Sequence, residues 1–509
     1  MKKIFLLIAT LAFFITGCSL DERRQNALDI DSAIQSPEDL ANMANYMNIY
    51  LRAYSAGSYV YIPEIASDLF NPNDNYGNRQ GGTYRWQWDG GSSFNAYWAP
   101  SYYAINHSCF VIEKAGELDM TSYTPEQIAS VNNSLGIAYF TKAYFGLKLL
   151  EYYCLPYSAA NAGTYGIMLI DLHRPSGDIA SYPGRSTLQE SYDWVISNLN
   201  EAEHYLAATP GAVGSTILTI DAVHALQARL ALEMGDWDLA ISKSKPLVDG
   251  GKYPLINTLA DMTGLWTNDN GKECIVQMWA DLAASSLPSS NDPGYHSYNA
   301  QSKAYTPDWI ANKYLISLYG PNDIRYKTWF EENIKVSAAN GKTGVVTLFN
   351  KFPGNPALQP AGAATSSHLQ KVKLFRIAEQ YLIAAEAYAR NGADIPARTY
   401  LGKLITQRDA SFDVSTLDAL SGDALLDFIL EERLRELVGE GFRWLDLRRW
   451  GKGMQRGEPQ LLSIISTAGA DAAANSMSVN ASDYRWVGPI PSDERDANPQ
   501  IRDQQNPGY

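Results

Sequence analysis

The chain is poor in the residues that carry out chemistry. It holds 4 cysteines and 6 histidines in 509 residues. Cys109, Cys154 and Cys274 show no C-x₂-C spacing, which excludes a zinc ribbon or a dithiol redox pair. With Cys18 set aside for the reason given below, the three left over cannot all pair. They read as buried, reduced thiols acting as small hydrophobes, with one disulfide still open in an exported protein. No G-x-S-x-G or H-E-x-x-H occurs, and Gly341-Lys342-Thr343 lacks the upstream glycine of a P-loop. The histidines are scattered, and none pairs at metal-ligand spacing. The enzyme alternative is a glycoside hydrolase or esterase, in which two carboxylates distant in sequence meet in space. Positive charge is also short, with 41 Lys and Arg against 55 Asp and Glu and a net charge of −14. Such a surface repels nucleic acid and anionic membrane, so neither is expected as a ligand. Long apolar runs are absent beyond the first residues, so no spanning helix is predicted.

The first residues form a leader. Lys2 and Lys3 precede an apolar stretch from Ile4 to Ile15, interrupted by Thr10 and too short to span a bilayer. Ile15-Thr16-Gly17-Cys18 resembles the bacterial lipobox, with the small Gly17 before the cut and Cys18 as the lipidated first residue. Acyl chains of the palmitate type contribute about 0.8 kcal/mol per buried CH₂, enough together to hold a domain on a membrane without a spanning helix. Asp21 and Glu22 after the cysteine resemble a surface-export signal, followed at once by Arg23 and Arg24. The expected layout is a signal peptide over 1–17 and a single domain over 18–509.

Helical periodicity follows. Residues 222–234 place Ala222, Ala225, Leu226, Arg229, Leu230 and Glu233 at helical spacing, Gly235 stops the run, and Asp236 caps a second helix through Trp237, Ala240, Ile241 and Leu247. A helix, a glycine turn and a second helix resemble a tetratricopeptide unit. The arrangement recurs with Leu374 to Asn391, Gly392, and a helix from Asp394 through Ala397, Leu401, Leu404 and Ile405. Ser130–Cys154 and Leu188–Ala208 form a split pair, and Gly422–Gly451 is a further helix. Such pairs bury their apolar faces only by stacking, so a helical scaffold is expected mainly over 130–250 and 370–450. Loop-rich parts are expected over 60–110, 253–370 and 452–509. They are rich in aromatics, which argues against disorder.

Residues 432–450 interleave Glu432, Arg433, Glu436, Glu440, Arg443, Asp446 and Arg449 with Leu434, Leu437 and Leu447. Arginine partners keep carboxylates ionised, so the pattern predicts a structural ion-pair network rather than a catalytic acid. The same residues resemble the SusD/RagB signature E-R-x-x-E-L-x-x-E-G-x-R-x-x-D-L-x-R. Arg376, Glu379, Tyr381, Leu382 and Ala385-Glu386-Ala387 match its preceding helix. Pro489-Ile490-Pro491, Glu494, Asn498-Pro499 and Gln505 to Tyr509 match its tail, and Cys18 its lipidated start. Lys142 and Cys154 depart from the family pattern of Arg and Gly, which leaves the local turn geometry open.

The resemblance implies a mostly α-helical protein of four stacked tetratricopeptide-like helix pairs, with a loop-rich side that carries the ligand site. It implies a non-enzymatic, outer-membrane lipoprotein facing the cell exterior. Such a protein captures oligosaccharide for a SusC-like TonB-dependent transporter and needs no cofactor or metal. The alternatives are a peptide-binding member of the RagB branch and a protein-binding tetratricopeptide adaptor.

A sugar offers an apolar C–H face and a rim of hydroxyls, which flat aromatics and polar side chains complement. Tyr84, Trp86 and Trp88 fall in one aromatic-rich segment, on one face if it is extended. A second candidate is Tyr295, Tyr298 and Tyr305 with Asn299. Asp68 is a candidate contact, and with the run from Asn71 to Asn78 it supplies oxygen atoms. The run lacks the ordered spacing of a calcium loop, so a solvated turn is expected there. Trp98, Trp309 and Trp329 are expected in the core.

Overall fold

The computed structural model describes residues 33–74, 79–91, 96–174, 176–284, 286–294, 296–338, 341–363, 366–465 and 473–509. Cys18 and the expected leader lie outside them. No helix among the described residues is long and apolar enough to cross a membrane.

Among the described residues nine long helices make the frame: α1 (Pro37–Ala53), α2 (Trp98–Glu117), α3 (Pro125–Tyr153), α4 (Leu188–Leu206), α5 (Ile220–Met234), α6 (Trp237–Asp249), α7 (Ile377–Arg390), α8 (Asp394–Arg408) and α9 (Gly422–Leu437). Their starts are encoded locally. Thr124 with Gln127, and Thr187 with Glu190, form capping boxes, and Pro125 occupies the first turn of α3. Gly235 ends α5 at φ 71°, a left-handed value that suits glycine, and the Asp236 carboxylate accepts the Leu239 N–H to start α6. Neighbours in the chain pack as pairs: α1 and α2 on α3, α3 on α4, α5 on α6, and α7 on α6, α8 and α9. Small residues set the closeness of α3 and α4. A Cβ at Gly136 would lie 2.5 Å from Leu206, and one at Gly146 would lie 2.7 Å from the Trp194 ring.

The frame departs from the sequence expectation in three places. It extends into 60–110, which holds helix Ser58–Ala66 and α2 rather than loop throughout. Ser101 and Ser108 weaken the apolar stripe of α2, yet both are buried because their hydroxyls donate back to the carbonyls of Tyr97 and Ala104. The helix expected from Leu374 begins at Ile377; Lys373–Arg376 is a strand paired antiparallel with Cys274–Gln277. The expected helix over 422–451 breaks after Leu437. Gly439 and Gly441 take φ 79° and 87°, and a short helix, Arg443–Arg449, follows. The buried Glu64 carboxylate fills that break by accepting the N–H groups of Gly441 at 2.9 Å and Phe442 at 3.1 Å.

The loop-rich side holds a four-stranded sheet in the order Tyr298–Asn299, Ala304–Tyr305, Phe330–Ser337, Thr343–Phe349. Its pairs are antiparallel except for the parallel contact of Tyr305 with Val336. Short strands, Phe70–Pro72 and Trp309–Ala311, pair beside it. Trp98, Trp309 and Trp329 are buried as expected. Cys109, Cys154 and Cys274 are free, buried thiols. Cys154 has φ −126°, ordinary extended backbone, so this turn does not require glycine. Lys142 pairs with Asp171 at 2.7 Å.

A buried charge network ties frame to loops. Glu436 of α9 accepts from Arg376 at 2.8 Å, Arg408 of α8 at 2.9 Å and Arg325 at 3.0 Å. Burial opposes ionisation of Glu436, but these three guanidinium groups overcome it and hold the carboxyl well below its ordinary range. Arg376 also reaches Glu273 and Glu440, each at 2.5 Å. The network is therefore structural, as its charge pattern predicts, but its pairing is mostly long-range. Glu432 does meet Arg435 on its own helix. Arg443 pairs with Asp68, and Asp446 with Arg433 and Arg449.

Candidate functional site

The first aromatic candidate is part of the core. Tyr84 is 0 % exposed, its hydroxyl donates to Asn475 Oδ1 at 2.8 Å, and its ring lies 3.8 Å from the Arg456 guanidinium. Trp86 is 1 % exposed, donates from Nε1 to the Ala66 carbonyl at 2.8 Å, and packs against Trp88 and Trp486. Trp88 is 6 % exposed. The expectation that these rings form a stacking platform is corrected, because each already spends its face on protein. The segment is not a strand either: Gly81–Tyr84 forms a short helical turn and Trp86 sits at φ 54°.

Asp68 is corrected in the same way. Its buried carboxylate accepts two N–H bonds from Arg443, at 2.8 and 2.7 Å, a bidentate pairing that leaves little capacity for a ligand. The start of the asparagine run is not a solvated turn. Asn71 lies in a buried strand, and Asn73 donates to the Pro307 and Ser337 carbonyls at 3.0 Å. Residues 75–78 and Tyr295 lie outside the described residues.

The second candidate region does reach solvent. Tyr298 is 45 % exposed and meets Tyr305 edge to face, with ring centroids 5.1 Å apart. Asn299 is exposed, but its side-chain oxygen accepts the N–H groups of Gln301 and Ser302 and so closes the turn between the two strands. Tyr298 and Tyr305 border a cleft of about 370 Å³ whose other walls include His296, Glu331, Asn350 and His368. That size suits a small molecule, for which clefts run to about 300–1,000 Å³. Asn350 donates to Glu331 at 2.5 Å, orienting both at the rim. Burial raises the Tyr305 hydroxyl above its ordinary range, so it stays protonated as a donor. Burial lowers His296, with Asp292 opposing, which favours the neutral ring.

Rigid anchors hold the loop. Asp308 accepts from Arg79 at 2.5 and 2.7 Å and gives its own N–H to the Gly294 carbonyl. Asp292 accepts the N–H groups of Gly294 and His296. Two of the histidines that look scattered in sequence, His296 and His368, therefore meet, with ring centroids 5.9 Å apart. Sequence reasoning missed them, along with Glu331 and Asn350, because they come from separate elements. It also missed Trp279, 44 % exposed, which borders a second concavity of about 420 Å³ with Asn45, Asn48 and Arg52 of α1. The signal for Trp279 was its place just after a strand and before a Ser/Pro-rich loop.

Residues 296–509 match a model of the SusD family, and residues 19–232 match one described as starch-binding associating with outer membrane. The chain belongs to the SusD/RagB family. A SusD-like protein of Formosa agariphila is 25 % identical over 312 residues, which are 53 % of this chain. The match spans 59 % of that relative's length. A SusD superfamily structure from Bacteroides thetaiotaomicron is 23 % identical and has a TM-score of 0.74, covering 93 % of this chain and 100 % of that one. A putative sugar binding protein from Bacteroides vulgatus is 23 % identical with a TM-score of 0.73, covering 94 % and 99 %. A laminarin-binding SusD-like protein is 18 % identical with a TM-score of 0.66, covering 94 % and 100 %. These likenesses establish the mostly helical SusD fold.

Proposed function

We propose that this SusD-family chain is a cell-surface lipoprotein, anchored at Cys18 to the outer membrane. It captures oligosaccharide at the Tyr298–Tyr305 cleft and hands it to a SusC-like TonB-dependent transporter. The observation that carries the ligand reading is the exposed Tyr298, set edge to face on the half-buried Tyr305, beside an oriented Glu331–Asn350 rim. An aromatic left 45 % exposed on a rigidly anchored loop keeps a flat apolar face for the C–H side of a pyranose, and the rim bonds its hydroxyls. The structural neighbours named for sugar or laminarin binding support the same class of ligand. The chain acts by binding and release, without bond cleavage. Its most heavily paired buried carboxylate, Glu436, is held ionised by arginine, which suits a brace and not a general acid.

Titration calorimetry against a panel of starch, laminarin and other soluble oligosaccharides tests this reading. Saturable binding to one glycan, with no new reducing ends on long incubation, is expected. Binding only to peptides would move the assignment to the RagB branch. Release of reducing ends would overturn the non-catalytic reading.

A further inference from the structure

Where His296 and His368 line the cleft, they converge with Asp292 into a group of three side chains able to ligate a metal. One ligand atom from each of Asp292, His296 and His368 lies within 4.8 Å of the other two. Asp292 Oδ1 and His296 Nδ1 are 3.5 Å apart, and both side chains are nearly sealed, at 5 % and 4 % exposure. That spacing is long for a hydrogen bond. It is close to the ~3.3 Å edge of a tetrahedral shell built on zinc bonds of about 2.0–2.2 Å.

Each group is oriented by a second contact. The Asp292 carboxylate is fixed by the Gly294 N–H at 2.9 Å and the His296 N–H at 2.7 Å. The His296 ring lies on Gly294, where a Cβ would come 2.4 Å from Nε2, so that edge is closed and Nδ1 is left facing Asp292. His368 Nδ1 lies 2.9 Å from the Phe352 carbonyl. A carbonyl only accepts, so Nδ1 of the neutral ring carries the proton and Nε2 presents its lone pair. This is how backbone carbonyls commonly prepare histidine ligands. His368 also holds φ 54°, a left-handed conformation that costs energy for a residue other than glycine and that surrounding structure must enforce.

We propose that Asp292, His296 and His368 form a binding site for one divalent transition-metal ion, zinc by preference, with its fourth position open toward the cleft. Two imidazoles and one carboxylate suit zinc, whereas calcium and magnesium take oxygen ligands. Because His296 and His368 both line the cleft, the open position faces the volume bordered by Tyr298 and Tyr305. The metal assignment stands whether or not that cleft takes a glycan.

The test uses untagged protein stripped with a chelator and dialysed, so that no affinity tag supplies histidines. Calorimetry with zinc chloride and elemental analysis should give one zinc per chain, bound at micromolar affinity or tighter. Asp292→Asn and His368→Asn should each weaken binding at least tenfold. Asparagine tolerates left-handed backbone, so His368→Asn removes the imidazole with little change in the fold. Zinc should raise the melting temperature of the parent and leave that of each variant unmoved. Cobalt(II) in place of zinc should give visible tetrahedral d–d bands that both variants lose. Absence of saturable zinc binding overturns the proposal. So does undiminished binding in both variants, or displacement of zinc by millimolar calcium.

Discussion

Glu64 shows how a single buried group sets a pH dependence. It is fully enclosed, and burial, opposed by backbone N–H donors and Lys351, pushes its carboxyl from an ordinary 4.5 up to about 7. Between those values the folded state holds a proton that the unfolded chain has released. Stability from this group is therefore present below about pH 4.5 and lost as pH rises through about 7. Glu64→Gln should remove that slope. Its melting temperature relative to the parent should rise between mildly acidic and mildly alkaline pH, by a stability difference of about 2–3 kcal/mol. Parallel melting curves of the two proteins across the range would contradict this. The same scale explains what sequence could not reveal about Tyr84, Trp86 and Trp88. Their spacing marks an aromatic segment, but Asn475, Arg456 and Trp486, which cover it, come from far along the chain. Tyr298 was legible as a candidate because a Pro/Gly-rich loop offers few residues to cover it.

At the scale of elements, period and caps made most scaffold helices legible. Gly235 with Asp236, and Gly392 before Asp394, mark the turns of two pairs. Strand Lys373–Arg376 was not legible, because its partner Cys274–Gln277 is distant in sequence and its apolar residues continue the helical pattern of α7. The ionic signature of α9 announced a network but not its partners. Arg408 of α8 reaches both Glu273 and Glu436, each at 2.9 Å, and all three side chains are sealed from solvent. Removing one member of such a network leaves buried charge uncompensated. Arg408→Leu should therefore destabilise the protein by about 3–5 kcal/mol. Denaturant titration would register this as a lower midpoint, and a loss under about 1 kcal/mol would show that the remaining arginines suffice.

For the whole molecule, the helical frame and charge network hold a loop-rich side whose exposed Tyr298 and the half-buried Tyr305, His296 and His368 beside it are set by long-range anchors. The proposed membrane attachment is a separate property, assigned to Cys18 from the sequence alone. Cys18→Ala should shift the protein from the membrane to the soluble fraction without changing its glycan affinity in solution, and retention on the membrane would remove the anchor assignment. The glycan-binding cleft is the claim on which the function rests. Its most direct test is calorimetry of the parent and Tyr298→Ala against a glycan the parent binds, with thermal melting as a control for folding. The account predicts a loss of affinity of at least tenfold with an unchanged melting temperature; equal affinity in the two proteins would contradict it.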